Sequence, residues 1–248
     1  MVYMVFNLKL LFLSGFIFTF TLISVSSSNS NLKQAAYAHN FELDDNASFL
    51  TLVEKINVES QLTNSTLSTN LTSTSEHIDQ IFDLLDDVTD STGYYEIDSR
   101  QFNNSTVNAL LLANIVDEVL RNYGRAYGIP SNFMLNMANM PNMETMSNNS
   151  NANSVTNATE QSNISIISMD KFQTAHIFAK RAVELFNVEL KLDASENATA
   201  AAAARLSKGL VDLENAINNK RLPMEIMTLA HSQVHPNLQL AYNLQLRQ

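Results

Sequence analysis

STVNALLLANIVDEVLRNYGRAYG, residues 105–128, decides the fold. Ser105 is a helix N-cap residue type, and apolar residues recur behind it every three or four positions for about five turns. Val107, Leu111, Asn114 and Glu118 share one side of the predicted helix, and Leu112, Val116, Val119 and Tyr123 share another. The second set is the apolar one and is expected to face the core. Gly124 and Gly128 are expected to end the helix, because glycine enters the left-handed conformation that closes helices at little steric cost.

Downstream, Ile129 to Ile167 reads as an insert. Methionine returns every third residue at Met134, Met137, Met140, Met143 and Met146, with Asn136, Asn139 and Asn142 in the same register. Pro130 and Pro141 interrupt the insert, and SNNSNANSVTNAT follows the ladder. A stretch this polar cannot offset its own ordering entropy, so the expectation is a long disordered Met/Asn-rich segment whose methionines are exposed. Helical periodicity resumes near Ser168 or Asp170, with Phe172, His176, Ala179, Val183, Phe186 and Leu190 as the apolar stripe. Another helix is expected from about Ser195, turning Leu206, Leu210, Leu213 and Ile217 inward. Pro223 opens the last helix at its first turn, where a missing N–H does no harm. Pro236 is expected to break that helix or restart it as a short tail.

Upstream, Phe41 to Asp90 reads as helix, either continuous or broken once in Gln61 to Ser75, a stretch rich in Ser, Thr and Asn; the heptad-like spacing of Leu67, Leu71 and Ile78 favours one long helix with a weak middle. Leu50, Val53 and Ile56 fall on one face, as do Ile78, Ile81, Leu85 and Val88. Asp79, Asp83, Asp86, Asp87 and Asp90 read as a solvated acidic face. No segment alternates as a strand does. The expected fold is all-α: one domain, an antiparallel bundle of four to five helices, built from halves 39–128 and 168–248 around the insert 129–167.

Residues 1–38 read as a signal peptide. Lys9 precedes the 16-residue apolar run Leu10–Val25, shorter than the roughly 20 residues of a spanning helix. Ala36-Tyr37-Ala38 then supplies an A-x-A cleavage pattern, with cleavage nearer Ser26 or an uncleaved anchor as the alternatives. Glycosylation sequons at Asn46, Asn64, Asn70, Asn103, Asn104, Asn148, Asn157, Asn163 and Asn197 agree with export. The expected location is secreted or cell-envelope, with membrane contact only through an uncleaved signal segment.

Composition removes several functions. The 248 residues include no cysteine, which excludes disulfides, thiol catalysis and thiolate metal sites. Five glycines argue against a phosphate-cradling loop, and a formal charge of −10 argues against a nucleic-acid partner. HExxH, GxSxG and the Glu-x-x-His of di-iron bundles do not occur. The chain does not read as an enzyme.

Soft-metal binding remains. Thioether sulfur prefers Cu(I) to hard cations, and an M-x-x-M ladder could bring several sulfurs to one ion. Triplet expansion, or an apolar patch that docks a partner, accounts for the same text. Cleavage after Ala38 would make His39 the first residue, where amine and imidazole together could chelate copper if a second histidine approached. His231 and His235 are four apart, on one face with Met224 and Met227. His176 and His77 lie beside apolar positions and read as core histidines. The expected metal set is therefore His39, His231, His235, Met134, Met137, Met140, Met143 and Met146, with copper as the cofactor. The rival is a glycosylated structural or interaction module of the cell surface, without metal, whose partner is another envelope protein.

From His39 onward the chain resembles a group of exported proteins of ammonia-oxidising archaea. The likeness is carried by His39-Asn40-Phe41, Ala47-Ser48-Phe49-Leu50, Asn104-Ser105-Thr106-Val107, Ala113-Asn114-Ile115-Val116-Asp117-Glu118, Tyr123-Gly124-Arg125-Ala126-Tyr127-Gly128, and His235-Pro236-Asn237-Leu238-Gln239-Leu240-Ala241-Tyr242-Asn243-Leu244. The resemblance implies export and an archaeal cell envelope. It transfers no catalytic residue. It favours copper only by association, since those organisms look copper-dependent.

Overall fold

The computed structural model describes residues 41–91, 96–135, 165–191 and 197–245. These form an all-α bundle: α1 (Asp45–Thr66), α2 (Leu71–Ser91), α3 (Ser105–Ala126), the short α4 (Ser131–Leu135), α5 (Met169–Leu185), α6 (Asn197–Asn218), α7 (Pro223–Leu229) and α8 (His235–Tyr242). Among the described residues no helix is long and apolar enough to cross a membrane. The segment 1–38 lies outside the described residues, as does most of the insert.

The expected single helix over 41–90 is two. Four residues, Leu67 to Asn70, separate α1 from α2, and the two pack as an antiparallel hairpin. Thr74 Oγ1 donates to Thr66 Oγ1 near the turn, and Asn70 Oδ1 caps α2 by accepting from Ser73 N–H. The polar middle that weakened the long helix is the turn itself. Leu67 and Leu71, whose spacing had argued for continuity, are both exposed.

α3 is the centre. It packs against α1, α4, α5, α7 and α8. Asn114 meets Thr51 and Glu118 meets Lys55, an equal step on both helices, so α1 and α3 run parallel. α5 runs back along α3, starting beside its end: Ala126 O accepts from Ile167 and Ser168 N–H, and the rings of Tyr123 and Phe172 lie 6.0 Å apart. The expected inward set Leu112, Val116, Val119 and Tyr123 is fully buried, but so is the other side, Val107, Leu111, Asn114 and Glu118. A helix surrounded by neighbours has no solvent face to keep polar. Asn104, one residue before the expected cap, accepts from Thr106 N–H, and Gly128, at φ 74°, closes the C-terminal end. Gly124 does not end the helix. A Cβ there would lie 2.5 Å from Met134 Cγ, so this glycine makes room for α4.

On α5 the buried set is Thr174, Ala175, Phe178, Ala179, Ala182 and Leu185, then Phe186 and Leu190. The expected stripe was rotated: Phe172, His176 and Val183 are only half-buried. α6 buries Leu206, Leu210, Leu213 and Ile217 as expected. Pro236 does not break the last helix. The chain passes from α7 to α8 through a widened π turn, Ala230–Val234, closed by His235 N–H to Ala230 O. A wide turn offsets the hydrogen bond and space that a proline one residue later would disrupt.

Candidate functional site

The π turn sets His231 and His235 side by side inside the bundle. Their ring centroids are 5.4 Å apart, and the residues are 2% and 7% exposed. The pair is therefore not a solvated flank. His231 Nε2 donates to the main-chain oxygen of Met134 at 3.2 Å, which fixes the neutral tautomer and assigns any metal bond from His231 to Nδ1. His235 Nε2 stands 3.6 Å from Oδ1 of Asp117, a carboxylate of α3 with no exposed surface. Phe41 meets the ring of His235 edge-on, with centroids 6.1 Å apart.

Met134 corrects one expectation. It is not exposed but fully buried in α4, in contact with α3 at Gly124, and it offers His231 its carbonyl. The polar insert thus begins with an anchored turn. Met227 is buried in the core, while Met224 packs against it from the edge. His39, Met137, Met140, Met143 and Met146 lie outside the described residues. Among the described residues, no group of three or more His, Asp or Glu is arranged to hold a metal ion. The structure brings together His231, His235 and Met134, and adds Asp117. Asp117 was missed because it is over a hundred residues away in sequence; its only signal was the acidic pair Asp117-Glu118 in a largely apolar helix.

A second buried chain was also missed. His77 Nδ1 lies 2.7 Å from Glu59 Oε2, and its Nε2 lies 3.3 Å from Ser73 Oγ. These are the three residue types of a hydrolytic triad, but the proton inventory differs. Ser73 Oγ donates to Asp170 Oδ1 at 2.9 Å, so the serine proton goes to a carboxylate, not to the imidazole. Ser73 is only 2% exposed, which denies a substrate access. The chain ties α2 to α1 and α5. His77 is the satisfied core histidine that the sequence suggested.

Beside it, a cleft of ≈ 180 Å³ is lined by Lys55, Glu59, Gln80, Glu118 and Lys171, among others. Its groups pair within the wall: Lys55 with Glu118 at 3.7 Å and Lys171 with Gln80 at 2.9 Å. Burial alone would push the Glu118 carboxyl up, but Lys55, Arg121 and Arg125 together hold it below the usual glutamate value. The cleft is thus an internal charge network.

The sequons divide by environment. Asn64, Asn70, Asn103 and Asn104 are exposed. Asn46 is buried and uses Oδ1 to accept from Asp98 N–H, an environment that disfavours a glycan. No family model, curated protein or solved structure matches the chain.

Proposed function

We propose that this is an extracytoplasmic helical bundle that binds or buffers copper, with the His231–His235 pair at the metal-holding end. One observation carries the reading. The two segments expected to bring further ligands each reach the described structure at this pair. Met134, the root of the methionine ladder, bonds to His231, and Phe41, two residues after His39, packs on His235. Two imidazoles in a dry site suit Cu(I), which accepts low coordination from nitrogen and thioether sulfur. Asp117 would compensate the ion's charge, and the Met134 carbonyl orients His231. In this reading His39, Met137, Met140, Met143 and Met146 supply the remaining donors, and the chain performs no catalysis.

X-ray absorption on the copper-loaded mature protein tests the donor set. A mixed nitrogen and sulfur shell supports the reading. A shell of oxygen alone overturns it in favour of an envelope module that functions without metal.

A further inference from the structure

α2 leaves an apolar stripe exposed along the edge of its buried face. Leu71, Ile78 and Phe82 are 75%, 39% and 63% exposed, at spacings of seven and four that put them on one face. Leu85 continues the stripe, half-buried. From Leu71 to Leu85 the stripe runs about 21 Å at 1.5 Å per residue. The inward side of the same helix carries Ser73, Thr74 and His77 beside Leu84 and the half-buried Ile81 and Val88. A loosely docked amphipathic helix would roll to bury its apolar face. This one cannot, because His77 is held by Glu59 and Ser73 by Asp170. The exposure is built into the hydrogen bonding.

The stripe is bordered by Glu76, Asp79, Asp83, Asp86 and Asp90, all exposed, and α2 contains no Lys or Arg. Nearby, burial raises the Asp87 carboxyl above its usual range, Lys55 opposes this, and Asp83, Asp90 and Asp86 raise it further. The acids are crowded, and a cationic neighbour would relieve them. Two copies meeting antiparallel through α2 would set acid rows against each other, and an anionic membrane surface would be repelled by the same acids.

We infer that the outward face of α2 docks a basic amphipathic helix of a partner protein, with an apolar stripe against Leu71, Ile78 and Phe82 and Lys or Arg against the aspartates. This is the packing of one amphipathic helix on another, in which apolar anchors give affinity and charge gives orientation and rate. It does not depend on copper.

The test titrates the whole protein, made without glycans, with two labelled helical peptides of about five turns. One has a leucine stripe flanked by lysine, and the other has the same stripe flanked by glutamate. The lysine peptide is expected to bind, to weaken at least tenfold in the double variant Ile78→Ser/Phe82→Ser, and to weaken with added salt. Asp212→Asn with Glu214→Gln, on α6, should change binding less than about twofold if stripe and acids act together. Leu71→Ser, at the most exposed position, repeats the measurement should the double variant lose helix content. Equal binding to the stripe variants, or equal binding of the glutamate peptide, overturns the inference. So does a dimer of the wild-type protein that Phe82→Ser dissolves, which would make a second copy the occupant.

Discussion

Two single residues carry much of the account. Gly124 is a seat rather than a helix end, since an added Cβ would lie 2.5 Å from Met134 Cγ. Alanine there gains about 1 kcal/mol as a helix former and loses about 1–3 kcal/mol to overpacking. Gly124→Ala should therefore lower stability by at most about 2 kcal/mol while moving Met134, and the His231 imidazole NMR signals should shift. Unchanged signals would mean that Met134 does not position the ring. Glu118 is the other. Its carboxyl is held below the usual glutamate range by Lys55, Arg121 and Arg125 against the effect of burial. A depressed folded pKa stabilises the fold above the unfolded value, and that contribution fades as pH falls through the folded one. Glu118→Gln weakens the charged hydrogen bond to Arg121 and should cost about 2 kcal/mol at neutral pH. Denaturant titrations should show the gap between variant and wild type closing as pH falls below 4.5.

At the scale of elements, legibility followed the chemistry of the buried face. α3 and α6 could be read directly, because apolar residues filled every inward position of α6 and nearly every turn of α3. α1 could not. It buries Asn46, Ser48, Thr51, Glu54, Glu59 and Thr66, residues that pattern reading assigns to solvent. These are satisfied locally or across the bundle: Thr51 and Thr66 donate to carbonyls one turn back, and Glu54 takes a forked pair from Arg181 at 2.7 and 2.9 Å. Such pairing depends on distant partners and leaves no period in the sequence. The π turn was equally hidden, since Pro236 signals a break and only the fold shows the wider turn that absorbs it. The α1–α2–α5 clasp gives a prediction at this scale. His77→Leu leaves the buried Glu59 carboxylate without its closest partner, at 2.7 Å, and should cost about 3 kcal/mol in chemical denaturation. A loss below about 0.5 kcal/mol, the size of an ordinary surface change, would contradict the clasp.

Over the whole molecule, the helical class and the main helices from Ser105 onward were legible, because periodicity near 3.6 is local information. The candidate site was legible only in part. The four-residue spacing of His231 and His235 marked them as a pair, but their burial, and the approach of Asp117, Met134 and Phe41, come from three other parts of the chain. The outward apolar face of α2 was not legible for the same reason: nothing local says which side of a helix its neighbours will clasp. The bundle thus carries two distinct features, a buried histidine pair and an acidic, apolar helix face. The first carries the proposed function, and competition against a Cu(I) chelator tests it most directly. The mature protein beginning at His39 should hold Cu(I), and its affinity should fall at least tenfold when Met137, Met140 and Met143 are replaced by leucine together. Copper held equally well by the triple variant, or not held by the mature protein at all, would contradict the account.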